Sequence, residues 1–261
     1  MSDKPLKGVV LAGGRGNRLS PLTRVAGKHF LPVYNRPMVL HALDALSVAG
    51  VRDALVVTDP PGEAIARDLM ADPSEFGLDS IEMLVQKEPT GIAAGLALAE
   101  PFAGDDDLLA LLGDNLFGRP LTPAVEEFRR AVREEGAEGL VTVCRVENPT
   151  DYGIASFDGS AARLVEIIEK PAEPPTDLAV TGAYLYRPAV FGLIAKMEPD
   201  EHGILEITAL NNSLLARGTL EWIDLDGWWT DAGTFEGLRK ATNLVAEHGI
   251  NGRLPAHPKA D

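Results

Sequence analysis

The chain has very little cysteine and no long apolar run, and both shortages limit what it can be. Cys144 is the only cysteine among 261 residues, so an internal disulfide is impossible and a reducing compartment is favoured. No apolar run approaches the ~20 residues that a membrane-spanning helix needs. Because the first predicted strand begins at residue 7, we also expect no secretory signal. These features predict a cytoplasmic protein that has no membrane partner.

Positive charge is also scarce in this sequence. Lysine and arginine number 24 against 39 acidic residues, which gives a formal net charge of −15. Nucleic acid is therefore excluded as a partner, because nucleic-acid binding depends on neutralising many phosphates. We expect the acidic runs at 105–107 and 134–135 to lie on solvated faces, where they favour solubility.

Several familiar motifs are missing. A dinucleotide-binding fingerprint that starts at Gly14 requires glycine at position 19, where the chain has Leu19. Lys28 lacks the upstream glycine of a P-loop, because Leu22 occupies that place. The five histidines show no metal-ligand spacing, and we expect His29 to be a packing residue. We find no internal repeat and no low-complexity segment.

Strand-length apolar runs alternate with helical patterns through the first half of the chain. The predicted strands are 7–12, 54–58, 81–85, 108–112 and 140–146, and the predicted helices are 37–49, 61–71, 92–100 and 122–135. This alternation predicts an α/β fold, in which a mostly parallel, Rossmann-like sheet has helices on both faces in three layers. Cys144 then becomes a small core residue of its strand.

The second half of the chain changes rhythm and predicts an added β region. Short strands are predicted at 153–157, 163–168, 180–186 and 219–224, and helices at 188–196, 205–217 and 234–247. The length suits one large domain over 1–250. We expect the tail at 251–261 to be poorly ordered.

The most informative stretch is the turn that follows the first strand. It contains three glycines and two arginines, namely Gly13, Gly14, Gly16, Arg15 and Arg18. Glycines allow the backbone to turn tightly and to present bare N–H groups to an anion. Arginines supply a fixed fork of donors for phosphate oxygens. Because ligands of such sheets bind at the carboxyl ends of the strands, the turn predicts a phosphate site there.

Further short motifs follow this turn in a characteristic order. They are Lys28-His29-Phe30-Leu31-Pro32, Arg36-Pro37, Val85-Gln86, Pro89-Thr90-Gly91, Leu112-Gly113-Asp114-Asn115, Tyr152-Gly153, Glu169-Lys170-Pro171, Val180-Thr181-Gly182, Leu205-Glu206-Ile207-Thr208 and Trp229-Thr230-Asp231-Ala232-Gly233-Thr234. As a set, over residues 7–248, they resemble the sugar-1-phosphate nucleotidylyltransferases, and most closely the glucose-1-phosphate thymidylyltransferases. The resemblance implies a GT-A-like nucleotidyltransferase fold. It also implies Mg²⁺-assisted, in-line transfer of a nucleotidyl group from dTTP to a sugar 1-phosphate, most often glucose 1-phosphate, with release of pyrophosphate.

The resemblance implies a nucleotide site in the first 120 residues. Its members are Leu11, Gly13, Gly14, Arg15, Gly16, Gln86, Pro89, Gly91 and Asp114. An amide such as that of Gln86 can pair with a carbonyl and a ring N–H, which is the edge that thymine or uracil offers. The alternative for Gln86 is a polar surface residue at a strand end. Ala94 departs from the glutamine usual in the family, which leaves the exact pyrimidine open.

The resemblance also assigns the groups that handle phosphate and metal. Arg18 and Lys28 match the residues near the triphosphate, and Lys170 matches the lysine that holds the sugar phosphate. Asp114 completes the catalytic set. With Asp231 it is the expected Mg²⁺ pair, because Mg²⁺ prefers hard oxygen ligands and one or two carboxylates. The alternative for Asp231 is an N-cap of the helix that begins near residue 234.

The expected sugar site lies at about 121–235. Its members are Tyr152, Gly153, Glu169, Lys170, Val180 and Thr181. Glu169 can accept hydrogen bonds from two hydroxyl groups, and Gly153 lets the backbone approach the sugar. Tyr152 could instead be a core aromatic. The aspartate that usually follows the stretch 205–208 is Ala209 here, so the sugar itself stays open.

Three alternatives to this function remain at the level of the sequence. The same chemistry could use UTP or CTP, or an acceptor other than glucose 1-phosphate. A non-catalytic, regulatory sugar-nucleotide-binding protein is less favoured, because Arg18, Lys28, Asp114 and Asp231 are all present. Since the last predicted helix ends near His248, we expect a short form that lacks the family's C-terminal helical extension and its remote regulatory pocket. The expected assembly is smaller than the family's tetramer, either a homodimer or a monomer.

Overall fold

A computed structural model describes residues 4–253, apart from 15, 25, 89 and 160–162. The strands are β1 (Leu6–Ala12), β2 (Pro32–Val33), β3 (Arg36–Pro37), β4 (Asp53–Thr58), β5 (Ser80–Val85), β6 (Asp107–Leu112), β7 (Asn115–Phe117), β8 (Gly139–Arg145), β9 (Gly153–Phe157), β10 (Leu164–Glu169), β11 (Leu178–Tyr186), β12 (Leu220–Asp224) and β13 (Trp229–Asp231). The helices are α1 (Met38–Val48), α2 (Glu63–Leu69), α3 (Ile92–Ala97), α4 (Glu100–Ala103), α5 (Thr122–Glu134), α6 (Ala189–Ile194), α7 (Ile207–Ala216) and α8 (Phe235–His248). The tail was predicted to be poorly ordered from residue 251, but Asn251 is buried, and its side-chain amide donates to the carbonyl of His41 at 3.1 Å. Residues 254–261 lie outside the described residues.

The main sheet has a parallel half and an antiparallel half. Strands β5, β4, β1 and β6 lie side by side and run parallel, as the strand–helix alternation predicts. Strand β11 pairs antiparallel with β6, and it also pairs antiparallel with β8 and β9. Strand β10 extends the sheet beyond β9, and β12 pairs parallel with β8. The added β region of the second half therefore continues the same sheet.

Alternate side chains of the parallel strands enter two different cores. Val10 and Val56 pack in one core with apolar residues of α1 and α5. Val9, Leu55 and Leu108 pack in the other core with residues of α3, α6 and α7. Successive side chains of a strand point to opposite faces, so a strand buried on both faces is apolar throughout. The predicted arrangement of helices on both faces is confirmed, and none of the described helices has the length and apolarity to cross a membrane.

Two features of the fold differ from the sequence prediction. The helix predicted at 92–100 is two helices, α3 and α4, because Pro101 stands in the first turn of α4 and cannot occupy a helix interior. The strands β2, β3, β7 and β13 were not predicted. Each has only two or three residues, which is too short to show a period in the sequence.

The buried side chain of Asn115 links three parts of the fold through hydrogen bonds. Its Oδ1 accepts hydrogen bonds from the Trp229 indole N–H at 2.8 Å and from the Gly182 backbone N–H at 2.9 Å. Its amide nitrogen donates to Oδ1 of Asp114 at 3.0 Å. A Cβ on Gly182 would lie 2.5 Å from Asn115, so only glycine fits at this point of β11. Asn115 thus links β7 to β13 and to β11.

The first prediction concerns the stability that Asn115 provides. Replacing it with leucine, Asn115→Leu, leaves two buried N–H donors without an acceptor. Each unsatisfied donor costs about 1–3 kcal/mol, so we expect a total loss of roughly 2–6 kcal/mol in the free energy of unfolding. Urea denaturation followed by circular dichroism measures this loss.

The matched control makes the same change at an exposed asparagine of α8, Asn243→Leu. We expect its free energy of unfolding to stay within about 0.5 kcal/mol of the parent. Equal urea midpoints for the two variants would show that Asn115 does not fasten these strands.

Candidate active site

A cavity of about 300 Å³ opens at the carboxyl ends of the parallel strands, and we call it cavity A. Its lining includes Leu11, Gly13, Gly14, Arg18, Lys28, His29, Val57, Gln86, Gly91, Ile92, Gly95, Leu112, Asp114, Asn115 and Asp231. Parallel strands present their carboxyl ends at one edge of the sheet, which explains why residues so distant in sequence meet here. Of the residues that the sequence assigned to nucleotide binding, Arg15 and Pro89 lie outside the described residues.

The glycine-rich turn forms one wall of cavity A. Gly14 and Gly16 have φ angles of 119° and 61°, in the region that favours glycine. A Cβ on Gly16 would lie 2.7 Å from Cβ of Lys28, so the turn packs directly on the stem of this lysine. The turn therefore places the cation of Lys28 beside the glycines that line cavity A.

Gln86 lies half-buried in cavity A, just beyond the end of β5. Its backbone N–H donates to the carbonyl of Thr58 at 2.8 Å, and its side-chain amide donates to the carbonyl of Gly91 at 3.4 Å. Its Oε1 lies 3.0 Å from the position that a Cβ of Gly13 would take and 3.2 Å from that of Gly95. The amide is thus held between glycines inside the cavity, which argues against the alternative of a surface residue.

The loop before α3 is tied to the segment that precedes α7. Gly91 has a φ of 111°, and a Cβ there would lie 2.3 Å from the carbonyl oxygen of Leu205. The N–H of Leu205 donates to the Thr90 carbonyl at 2.9 Å, and the N–H of Ala93 donates to the Leu205 carbonyl at 3.2 Å. Gly91 is therefore required for this close approach of two backbones.

The two candidate metal carboxylates are brought together by the pairing of two very short strands. Strand β13 pairs antiparallel with β7, in a register that sets Asp231 opposite Asn115, the residue after Asp114. A Cβ on Gly233 would lie 2.8 Å from Asp231 Oδ1, 3.2 Å from Arg18 Nη2 and 3.3 Å from Asp114 Oδ2. Two carboxylates and a guanidinium thus surround a space that only glycine leaves open.

Asp231 does not cap helix α8. The N-cap of this helix is Thr234, whose hydroxyl accepts from the N–H of Gly237 at 3.0 Å. Oδ1 of Asp231 accepts instead from the N–H of Gly233 at 2.6 Å. The alternative role that the sequence allowed for Asp231 is therefore excluded.

The charges of this centre are strongly coupled. Burial acts to raise the pKa of Asp114, but Lys28, His29 and hydrogen bonds to the carboxylate hold that pKa well below its usual range. Lys28 forms an ion pair with Oδ2 of Asp114. Burial and the charge of Asp114 raise the pKa of Asp231 to about 6. At neutral pH both carboxylates are ionised, and Asp231 is the one that loses its charge first on acidification.

His29 lies at the centre of this group as a neutral side chain. It is buried, and burial together with the charge of Lys28 lowers its pKa to about 3. Its ring packs against Gly113, where a Cβ would lie 3.0 Å from His29 Cδ2. His29 therefore packs as the sequence predicts, but it also lines cavity A, which the sequence did not indicate.

The donor set of this centre fits a hard divalent cation. No group of three or more histidine, cysteine or acidic side chains within the described ranges could enclose a metal. Asp114 and Asp231 supply two carboxylates beside the space at Gly233. Mg²⁺ is typically bound by one or two carboxylates while water and substrate phosphates fill its other positions. The arrangement therefore fits a metal that binds together with a phosphorylated substrate.

A second cavity, cavity B, adjoins cavity A and shares Arg18, Asn115 and Asp231 with it. All six residues that the sequence assigned to the sugar line it, namely Tyr152, Gly153, Glu169, Lys170, Val180 and Thr181. The hydroxyl of Thr181 hydrogen-bonds Thr142 in the core. Cavity B lies between the antiparallel strands β9 and β11 and the start of α7.

The polar side chains of cavity B are held in defined positions. Lys170 has a φ of 42°, a strained value for a residue other than glycine and typical of functional sites. Its amino group pairs with Glu169 Oε1 at 3.1 Å, and the Thr208 hydroxyl donates to Glu169 Oε2 at 2.9 Å. The ring of Tyr152 meets the Trp229 ring edge to face, with centroids 5.1 Å apart. Tyr152 thus packs on the core and lines the cavity at once.

Cavity B also contains residues to which the sequence assigned no site role. They include Glu206, Thr208, Tyr184, Asn211 and Trp229. The stretch 205–208 carried a motif, so Glu206 and Thr208 were within reach of sequence reasoning. Tyr184 and Asn211 carried no signal, because a buried tyrosine in a strand and a buried asparagine in a helix are indistinguishable from core residues in the sequence.

Comparison with known proteins finds relatives that match most of this chain. A low-salt glycan biosynthesis nucleotidyltransferase of Haloferax volcanii, Agl11, is 38% identical over 93% of this chain and 66% of its own length. A glucose-1-phosphate thymidylyltransferase of Neisseria meningitidis is 39% identical over 92% of this chain and 82% of its own length.

Two solved structures are also similar to this chain. A Bacillus anthracis protein, provisionally assigned as a glucose-1-phosphate thymidylyltransferase and solved in complex with sucrose, is 39% identical and superposes with a TM-score of 0.86 over 93% of this chain and 96% of its own. A UDP-glucose pyrophosphorylase solved with UDP-glucose is 19% identical, covers 92% of this chain and 98% of its own, and shares the fold with a TM-score of 0.78.

The family model for nucleotidyl transferases matches residues 7–248, which include every element that lines the two cavities. The match therefore includes the glycine-rich turn and both acidic residues of the metal centre. The chain is an enzyme and belongs to the nucleotidyl transferase family.

Proposed function

We propose that this enzyme transfers a nucleotidyl group from dTTP to a sugar 1-phosphate, namely glucose 1-phosphate, with Mg²⁺ as the metal. The observation that carries the proposal is the junction of cavities A and B, which share Arg18 and Asp231 beside the carboxylate of Asp114. A nucleoside triphosphate in A and a sugar phosphate in B would bring their phosphates together at this junction. The choice of dTTP and glucose 1-phosphate is supported by several similar proteins named glucose-1-phosphate thymidylyltransferase.

The reaction is an in-line displacement at phosphorus. An oxygen of the sugar phosphate forms a new bond to the α-phosphorus, the bond from that phosphorus to the bridging oxygen breaks, and pyrophosphate leaves with the bonding electrons. The attacking oxygen is already ionised at neutral pH, so the reaction needs no general base. This agrees with His29, whose pKa of about 3 makes it unable to take up a proton near neutrality.

Charge neutralisation is the main task of the protein in this reaction. Two like charges 4 Å apart repel by about 4 kcal/mol at an effective dielectric constant of about 20. Arg18 and Lys28 would offset the triphosphate charge, and Lys170 would hold the sugar phosphate. Each of them lines one or both cavities. Because these cations lie at the cavities before the substrates arrive, their charge is available where negative charge develops in the transition state.

Asp114 and Asp231 would hold the divalent cation. When bound there, the cation would neutralise charge at the α-phosphate and help to orient the two substrates. The protein's contribution is the ionised state of both carboxylates. Since the pKa of Asp231 is raised to about 6, this ligand is in its charged form only above that pH.

Recognition of the base and the sugar would fall to opposite ends of the cleft. The Gln86 amide, held beside Gly13 and Gly95, can accept from a pyrimidine ring N–H and donate to a carbonyl. In cavity B, Glu169 can accept from two sugar hydroxyls, and Gly153 lets backbone groups come close. The proposal thus divides the domain into a nucleotide part over about 1–120 and a sugar part over about 121–235.

The second prediction concerns the metal carboxylates. Asp114→Asn and Asp231→Asn each remove one anionic ligand while keeping the size of the side chain. We expect each to lower kcat by at least about 100-fold, which corresponds to several kcal/mol of lost transition-state stabilisation. Pyrophosphate release under saturating substrates and Mg²⁺ measures this effect, and circular dichroism checks the fold.

Asp151→Asn is the matched control, because Asp151 lines cavity B but lies outside the metal centre. We expect it to keep kcat within a few-fold of the parent. If both metal-centre variants turned over near the parent rate, the metal assignment would be wrong.

The third prediction concerns the nucleotide, and its experiment tests the proposed function as a whole. Pyrophosphate release is measured over a grid of dTTP, UTP, CTP, ATP and GTP against several sugar 1-phosphates. We expect dTTP and UTP to be preferred, because a purine would leave the Gln86 amide unpaired in a partly dry site. Gln86→Ala should reduce discrimination between nucleotides more than it reduces turnover.

Each other outcome of this grid has a definite meaning. Efficient use of ATP or GTP by the parent enzyme would contradict the role of Gln86. Selective use of CTP would point to the alanine at position 94 as the residue that changes base choice. No release of pyrophosphate with any pair would overturn the proposed function.

The fourth prediction separates the two phosphate sites. Lys170→Ala should raise KM chiefly for the sugar 1-phosphate, because Lys170 lines cavity B. Arg18→Ala should act mainly on the nucleotide and on kcat, since charge on the leaving pyrophosphate grows in the transition state. Steady-state kinetics with each substrate varied in turn measures both effects, and the reverse pattern would exchange the two roles.

A further inference from the structure

Lys28 contacts the carboxylate of Asp114, which the proposed reaction assigns to the divalent cation. Its amino group pairs with Oδ2 of Asp114, and the two side chains are only 18% and 8% exposed. In the transfer reaction the amine serves phosphate oxygens, whereas the carboxylate serves a divalent cation. The amine and the carboxylate are therefore paired with each other while the substrates are absent.

The surroundings of Lys28 favour this contact. The stem of the lysine is packed under the glycine-rich turn, where a Cβ on Gly16 would lie 2.7 Å from its Cβ and a Cβ on Gly14 would lie 3.9 Å from its Cε. A buried carboxylate without a partner is strongly destabilising. Because Asp114 is buried, its charge needs a compensating cation, and among the residues that the structure describes Lys28 is the cation that pairs with it.

The second carboxylate is held by weaker means. Within the described part of the chain, Asp231 forms no ion pair, and its Oδ1 accepts from the N–H of Gly233. Arg18 lies near the same space, because its Nη2 is 3.2 Å from the Cβ position of Gly233, but it forms no ion pair with Asp114 in that part of the chain. Lys28 and Arg18 thus lie beside the same two carboxylates, and of these two cations Lys28 is the one that forms an ion pair, with Asp114.

We propose that Lys28 is a place-holder for the divalent cation at Asp114. Its ammonium group neutralises this carboxylate in the nucleotide-free enzyme and moves to the phosphates when the cation replaces it. The inference rests on the proposed function, because it takes Asp114 and Asp231 as the metal ligands. It follows that the free enzyme binds divalent cations weakly and that the metal enters together with the nucleotide.

The experiment measures Mn²⁺ binding to the nucleotide-free protein by electron paramagnetic resonance of the free ion. Lys28→Met removes the ammonium group and keeps the length of the side chain. We expect it to bind Mn²⁺ at least about tenfold more tightly than the parent, because the carboxylate loses its competing cation. The gain should vanish in the double variant Lys28→Met/Asp114→Asn.

Arg18→Met is the matched control, because it removes a nearby cation of the same charge that does not contact Asp114. We expect its Mn²⁺ affinity to rise by less than about threefold, since a screened charge without contact competes little. Equal increases in Mn²⁺ affinity in the two variants would show that the effect depends only on net charge, which would overturn the proposal. Unchanged affinity in Lys28→Met would also overturn it.

Two further measurements keep the result interpretable. Lys28→Gln repeats the test with a polar side chain if the methionine variant does not fold, as judged by circular dichroism. Pyrophosphate release by the parent enzyme tests the proposed function separately. An active parent without the Mn²⁺ effect would refute the place-holder alone, whereas an inactive parent would refute the function.

Discussion

The structure depends on the need to keep two carboxylates, the buried Asp114 and the half-buried Asp231, close together and charged. Like charges repel, and burial favours the neutral form of each acid. Asp114 stays ionised because Lys28 and Asn115 contact it, while Asp231 is left with a pKa raised to about 6. In the folded chain, the pairing of β7 with β13 must therefore hold the two carboxylates close together against their mutual repulsion. The hydrogen bonds of Asn115 supply that constraint, because they join the indole of Trp229 in β13 to the strand that follows Asp114.

The mixed sheet explains why the two cavities share one junction. Its parallel strands end at a single edge, which places the glycine-rich turn, Gln86 and Asp114 around cavity A. Strand β11 runs antiparallel beside β6, so a central stretch of it passes the same edge and carries Thr181 and Gly182 into cavity B. One continuous sheet thus serves two ligands of different shape, and the reacting groups meet where the parallel strands give way to the antiparallel ones.

The strand pattern alone predicted the parallel half of this arrangement, whereas the residues of the junction were predicted only through the family resemblance. Asp114 and Gln86 each follow an apolar strand, so their place at the sheet edge could be derived from the strand pattern. The partnership of Asp231 with Asp114 depended on a family resemblance, because a three-residue strand such as β13 has no periodicity. The links made by Asn115 could not be predicted, since an amide that bonds to an indole and to a backbone N–H far along the chain leaves no local pattern.

The backbone contact between Gly91 and Leu205 has a consequence for how such an enzyme could change its substrates. Leu205 immediately precedes Glu206 of cavity B, and its two hydrogen bonds hold the loop that accepts from the Gln86 amide. A change that shifted the start of α7 to admit another sugar would also displace Gly91 beside the base. On the proposed function, sugar preference and base preference are therefore mechanically joined, so that neither could be altered by evolution or design without some effect on the other.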